Sequence, residues 1–105
     1  MIVNRRTFNI VPGKVEEVIE YLKVAGKEVD WLGNVRLYKM HTGTFDQIVL
    51  EYEFDSLAQY ETFWTNWFAS EAAAGFFQFW RQVSLPGGTN ELFEMVVQFS
   101  RKSKG

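Results

Sequence analysis

A chain of 105 residues with 13 acidic and 11 basic side chains, a net charge of −2 and no cysteine holds one domain's worth of polypeptide. That charge has the wrong sign for a dedicated nucleic-acid binder, and the lack of cysteine excludes disulfides, thiolate catalysis and sulfur-bound zinc. No stretch is long and apolar enough to span a bilayer, and MIVNRRTFNI at the start lacks the apolar core of a secretion signal, so no membrane association is expected and the cytoplasm is the expected location.

Residues 2–11 alternate loosely and are rich in β-formers, which predicts a strand ended by Pro12-Gly13. From Lys14 the period changes. Val15, Val18, Ile19, Leu22 and Ala25 recur at helical spacing, with Glu16, Glu17, Glu20, Lys23 and Lys27 on the outer face, and this helix should end between Gly26 and Gly33. Residues 34–41 and 47–54 read as the two strands of a hairpin joined by Thr42-Gly43-Thr44-Phe45-Asp46. In the second of them Ile48, Leu50, Tyr52 and Phe54 share one face, and Gln47, Val49, Glu51 and Glu53 the other.

Ser56, with Gln59 three residues on, is a capping box, and Ser70-Glu71 offers a second cap. Two consecutive helices should therefore meet near 69–71. Pro86-Gly87-Gly88 is expected to close the helical part. The last strand is then expected over 92–99, with Phe93, Met95, Val97 and Phe99 on its apolar face and Glu94, Val96 and Gln98 outward. Residues 1–100 form the expected single domain, and 101–105 a frayed basic tail. The order β-α-β-β-α-β predicts an α+β, ferredoxin-like fold: a four-stranded antiparallel sheet with helices on one face.

Three stretches go further. RRTFNIVPGKVEEVIEYL runs a strand into a helix through Pro-Gly-Lys; GTFDQIVLEYEFDSLAQYE runs a hairpin strand into an Asp-Ser-Leu helix start; an aromatic helix follows. In this order and spacing, over nearly the whole chain, they resemble the NIPSNAP-type domain of the dimeric α/β-barrel superfamily. The resemblance implies a homodimer in which two sheets face each other and close into a barrel. That superfamily includes cofactor-independent monooxygenases of antibiotic biosynthesis, haem-degrading monooxygenases and small proteins of unknown role, so it implies architecture more than chemistry. On the outward sheet face Arg5 would be flanked by Glu51 and Glu53 from the third strand and Glu94 from the fourth, a ladder of opposite charges. A solvated face in a monomer carries the same pattern; the resemblance favours the dimer.

Candidate chemistry centres on residues 60–80, YETFWTNWFASEAAAGFFQFW, with nine aromatic rings in 21 residues. Only Arg81 lies beside them, which excludes a stacking platform for nucleic acid. Rings at helical spacing first of all build a core against the sheet. Ala72-Ala73-Ala74-Gly75 is the exception, because small residues beside large rings can leave room for a flat ligand. The expected pocket is formed by Tyr38, Tyr52, Trp64, Trp67, Phe77 and Trp80. The resemblance to the haem-degrading relatives matches their helical tryptophan with Trp67, but ten residues on, where they carry the iron-binding histidine, this chain has Phe77. No cofactor is implied, and no His and carboxylate pair has metal-ligand spacing.

The single histidine, His41, is the one candidate general base, oriented by Asp46, against its simpler reading as an exposed hairpin residue. Arg5, Arg6, Arg36 and Tyr38 could hold a carboxylate or enolate oxygen of a bound aromatic compound, but the charge ladder is the favoured reading for all four. Asn4 and Asn9 could orient a substrate oxygen. The sequence thus leaves three functions: binding a small apolar or aromatic molecule between helices and sheet, a cofactor-independent monooxygenase, and a non-catalytic structural or regulatory dimer.

Overall fold

Residues 1–102 are described by the computed structural model; of the expected tail, 103–105 lie outside the described residues. The elements follow in the order β1 (Ile2–Ile10), α1 (Val15–Ala25), a short 3-10 turn (Gly26–Glu28), β2 (Val35–Lys39), β3 (Gln47–Phe54), α2 (Leu57–Phe68), α3 (Glu71–Val83) and β4 (Ser84–Glu94). The sheet is antiparallel, ordered β2-β3-β1-β4, and the three helices give the α+β, ferredoxin-like arrangement.

Local chemistry accounts for these boundaries. The Ser56 hydroxyl accepts from the Gln59 backbone N–H at 3.1 Å while Gln59 Oε1 accepts from the Asp55 N–H at 2.8 Å, a reciprocal cap for α2. Ser70 caps α3 in one direction only, its hydroxyl accepting from the Ala73 N–H at 3.3 Å. Gly33 is held against β3, where a Cβ would stand 2.2 Å from the Glu53 carbonyl oxygen.

Alternation along β1 divides the sheet. Ile2, Asn4, Arg6, Phe8 and Ile10 face the helices; Val3, Arg5, Thr7 and Asn9 face away. Two core clusters result. Ile10, Val18, Ile19, Ile48 and Val83 form one, and Tyr52, Phe54, Phe63 and Trp64 the other.

The last strand departs from the sequence reading. α3 passes straight into β4 at Ser84, eight residues earlier than expected, and the strand ends at Glu94. Pro86-Gly87-Gly88 therefore lies inside it. Proline is tolerated because β4 is an edge strand and the segment is a bulge: Thr7 pairs with Thr89 and Asn9 with Leu85, leaving Pro86 to Gly88 opposite Phe8 alone. Gly87 takes a φ of 98°, and Gly88 lies so close to β1 that a Cβ would stand 2.4 Å from the Thr7 carbonyl oxygen.

This register inverts the expected faces. Phe93 lies opposite Val3 on the outer face, and Glu94 lies opposite Ile2 rather than beside Arg5. Val96, Val97 and Phe99, expected within the strand, follow it as exposed residues without regular structure.

Gly88→Ala is expected to lower stability by about 1–3 kcal/mol, because the obstacle is backbone rather than a movable side chain. The control Gly75→Ala, in mid-helix with nothing within 4 Å of the added Cβ, should raise it by about 0.5–1 kcal/mol. Urea unfolding of both variants checks the pair, and a neutral Gly88→Ala would contradict the close approach.

Candidate functional site

The two core clusters do not close on each other. Between them lies a cavity of about 420 Å³, walled by Phe8 and Trp80 from the margin of the first and by Tyr52, Phe63, Trp64 and Trp67 from the second. The volume falls within the usual range of small-molecule sites. Ala72 at the start of α3 lines it, as the run of small residues suggested, and exposed Lys23, Lys27 and Phe68 belong to its rim.

Each ring is held by its neighbours. Phe8 meets Trp80 edge-on at 4.9 Å between centroids, and Tyr52 meets Trp64 likewise at 5.0 Å. Phe68 and Phe77 lie parallel at 6.1 Å across the α2–α3 junction, and Trp67 bridges them from the side. Offset and edge-on arrangements such as these suit ring quadrupoles and fix the walls.

Besides Lys23 and Lys27 at the rim and the Tyr21 phenol, whose ring stacks on Phe79, two polar side chains interrupt the apolar lining. Arg6, half-buried on β1, lays its guanidinium over the Trp64 indole at 3.9 Å and donates from Nε to Asn4 Oδ1 at 3.0 Å. Asn4 is fully buried and is fixed in turn, its Nδ2 donating to Asn90 Oδ1 at 2.6 Å and to the Glu91 carbonyl at 2.9 Å. The second group is Tyr52, 4% exposed: burial pushes its phenol above the ordinary value, and the positive charge of Arg6 pulls it only part of the way back. Beside them the Trp64 indole nitrogen is buried without a hydrogen-bond partner among the described residues.

Of the six pocket residues expected from sequence, Tyr52, Trp64, Trp67, Phe77 and Trp80 line the cavity. Tyr38 does not. It sits on the outer sheet face, 44% exposed, with its hydroxyl 3.4 Å from Glu51, because β2 places it opposite Val49. His41 is exposed in the β2–β3 loop, away from the cavity.

The charge ladder is present in part. Arg5 pairs with Glu51 at 3.0 Å and Arg36 with Glu53 at 2.6 Å, whereas the β4 residue opposite Arg5 is Glu91 and the Phe93 ring lies 5.2 Å beneath its guanidinium. Glu94, placed in the ladder by the sequence reading, takes no part in it because of the inverted register.

Sequence reasoning missed Trp31 and undervalued Arg6. Trp31 falls in the stretch where the first helix was expected to end; its indole N–H donates to the Gly26 carbonyl at 2.9 Å and its ring lies against Phe63 and Tyr52, which makes it a cavity wall. The alternation of β1 was enough to place Arg6 on the helix side; the signal was there.

No family model matches the chain, and no curated protein matches it in sequence. Solved structures do match it in shape. An uncharacterised NIPSNAP-like domain protein from Burkholderia xenovorans has a TM-score of 0.82 at 15% identity, over 96% of this chain and 89% of the other. A NIPSNAP family protein from Agrobacterium tumefaciens has a TM-score of 0.77 at 18% identity, over 89% and 90%. An antibiotic biosynthesis monooxygenase has a TM-score of 0.69 at 14% identity, over 92% and 100%. The chain thus has the ferredoxin-like fold of NIPSNAP-type and antibiotic-biosynthesis-monooxygenase-type proteins. At these identities the likeness is one of fold, and chemistry must come from the residues.

The raised phenol of Tyr52 has a consequence at high pH. The unfolded chain releases this proton near pH ~10 while the folded chain retains it, so stability falls with rising pH above that point. Urea titrations at pH 9 and 11 should show Tyr52→Phe losing less stability than the parent across the interval, and equal losses would contradict the burial of this group.

Proposed function

We propose that this protein is a small cytoplasmic homodimer that binds an apolar or aromatic molecule in the cavity between helices and sheet. The observation that carries the reading is the cavity itself, walled by rings from every layer of the fold, where the same rings packed solid would have left no space. A purely structural dimer gains nothing from such a void, because unfilled apolar space costs packing energy.

The monooxygenase reading fares worse. An oxygenase that draws its electrons from the substrate needs a group to remove the substrate's proton. Among the described residues the cavity lining contains no carboxylate and no imidazole; its phenols are Tyr21, stacked on Phe79, and Tyr52, which burial holds in its protonated form.

Dimerisation is supported by what the outer face leaves uncovered. Val3 and Phe93 are apolar there, between charges already paired with one another. β4 is an exposed edge, a feature that proteins usually cover. Arg5–Glu51 and Arg36–Glu53 would become partly buried against a second copy, already satisfied.

Two measurements test these points. Nile red, an uncharged dye, should brighten on binding, and Ala72→Phe should weaken that binding at least tenfold without lowering the melting temperature; a dye response untouched by Ala72→Phe places binding elsewhere. Native mass spectrometry should give twice the 12.3 kDa chain mass, and Phe93→Glu should return it to the monomer. A monomeric parent protein would defeat the dimer.

A further inference from the structure

Arg6 is a half-buried cation inside an apolar cavity, and it makes no ion pair among the described residues. The other arginines of the sheet, Arg5 and Arg36, both have carboxylates. A charge withdrawn from water without a counter-charge is costly, and a protein keeps one mainly where something else supplies the opposite charge. A second copy of the chain on the outer sheet face cannot do so, because Arg6 lies on the helix side.

The guanidinium is held for a particular kind of partner. Its Nε is occupied by Asn4, itself tied to β4 through Asn90 and the Glu91 carbonyl, and its flat face rests on Trp64. What remains is the pair of terminal nitrogens, whose parallel N–H bonds match the two oxygens of a carboxylate.

The rest of the lining has the same sign. Its other charged members are Lys23, already paired with Glu20, and Lys27; among the described residues Lys27 makes no ion pair and no acidic residue lines the cavity, in a chain whose net charge is negative.

We infer that the cavity takes a carboxylic acid with an aromatic or other flat apolar body, the carboxylate docked on Arg6 and the body among the rings. This rests on the cavity being a binding site and adds the chemistry of its ligand.

Three probes with one body and different heads separate the two claims: 2-naphthoate, 2-naphthalenemethanol and 2-naphthylmethylamine, titrated calorimetrically into the parent protein, Arg6→Gln and Arg6→Lys. The parent should bind the acid at least tenfold more tightly than the alcohol and reject the amine. Arg6→Gln should lose that preference while keeping the alcohol's affinity, and Arg6→Lys should keep part of it, having the charge without the fork. If acid and alcohol bind the parent equally, or Arg6→Gln keeps the preference, the carboxylate assignment is overturned and the pocket stands. If none of the three binds and Nile red does not either, the pocket itself is wrong and the assignment falls with it.

Discussion

The carboxamide of Asn4 is the point at which sheet and cavity meet. It is fully buried, so its hydrogen-bonding capacity has to be met inside the protein, and the partners it finds belong to different parts of the fold. Its nitrogen ties the central strand β1 to the edge strand β4, and its oxygen sets the position of Arg6. An apolar residue here would fill the same space. It would remove two of the side-chain bonds that hold β4 to β1, leaving the Asn9 Nδ2 bond to the Pro86 carbonyl and the backbone pairing, and Arg6 free to seek water at the cavity mouth.

Around that polar point the helices and sheet are separated by rings rather than by aliphatic side chains, and this separation produces the cavity. Flat groups that meet edge-on leave gaps that branched side chains would fill. Small residues at the start of α3 widen the gap, since Ala72 puts only a methyl group against Trp67 and its neighbours. The cavity is thus a consequence of composition at a few positions, and it needs no strained backbone to keep it open.

The two faces of β1 use charge in opposite ways. On the outer face arginine and glutamate alternate across strands and neutralise each other, which lets a second protein surface approach without stranding a charge. On the inner face Arg6 stands without such a partner among the described residues, beside a tyrosine that burial keeps protonated. One strand carries both because successive side chains point to opposite sides.

Most of the fold was legible in the sequence because it rests on local chemistry. Hydrophobic period placed β1, α1 and β3, and two serine caps placed α2 and α3 at their observed starts. Helical spacing and the alternation of β3 also placed Tyr52, Trp64, Trp67, Phe77 and Trp80 on the faces that meet between helices and sheet. The last strand did not, because Pro86-Gly87-Gly88 reads as a terminator unless β1 lies beside it to accommodate a bulge, and pairing of residues 80 positions apart is invisible locally. Tyr38 failed for a related reason: a short strand of mixed character does not reveal its inner face until β3 sets the register. The sequence by itself determined which segments form helices and strands and which faces are apolar, since those are properties of neighbours along the chain. Only the tertiary structure decided that the aromatic faces stop short of closing and that Arg6 stands in the gap without an ion pair among the described residues, since both depend on which side chains meet across the fold.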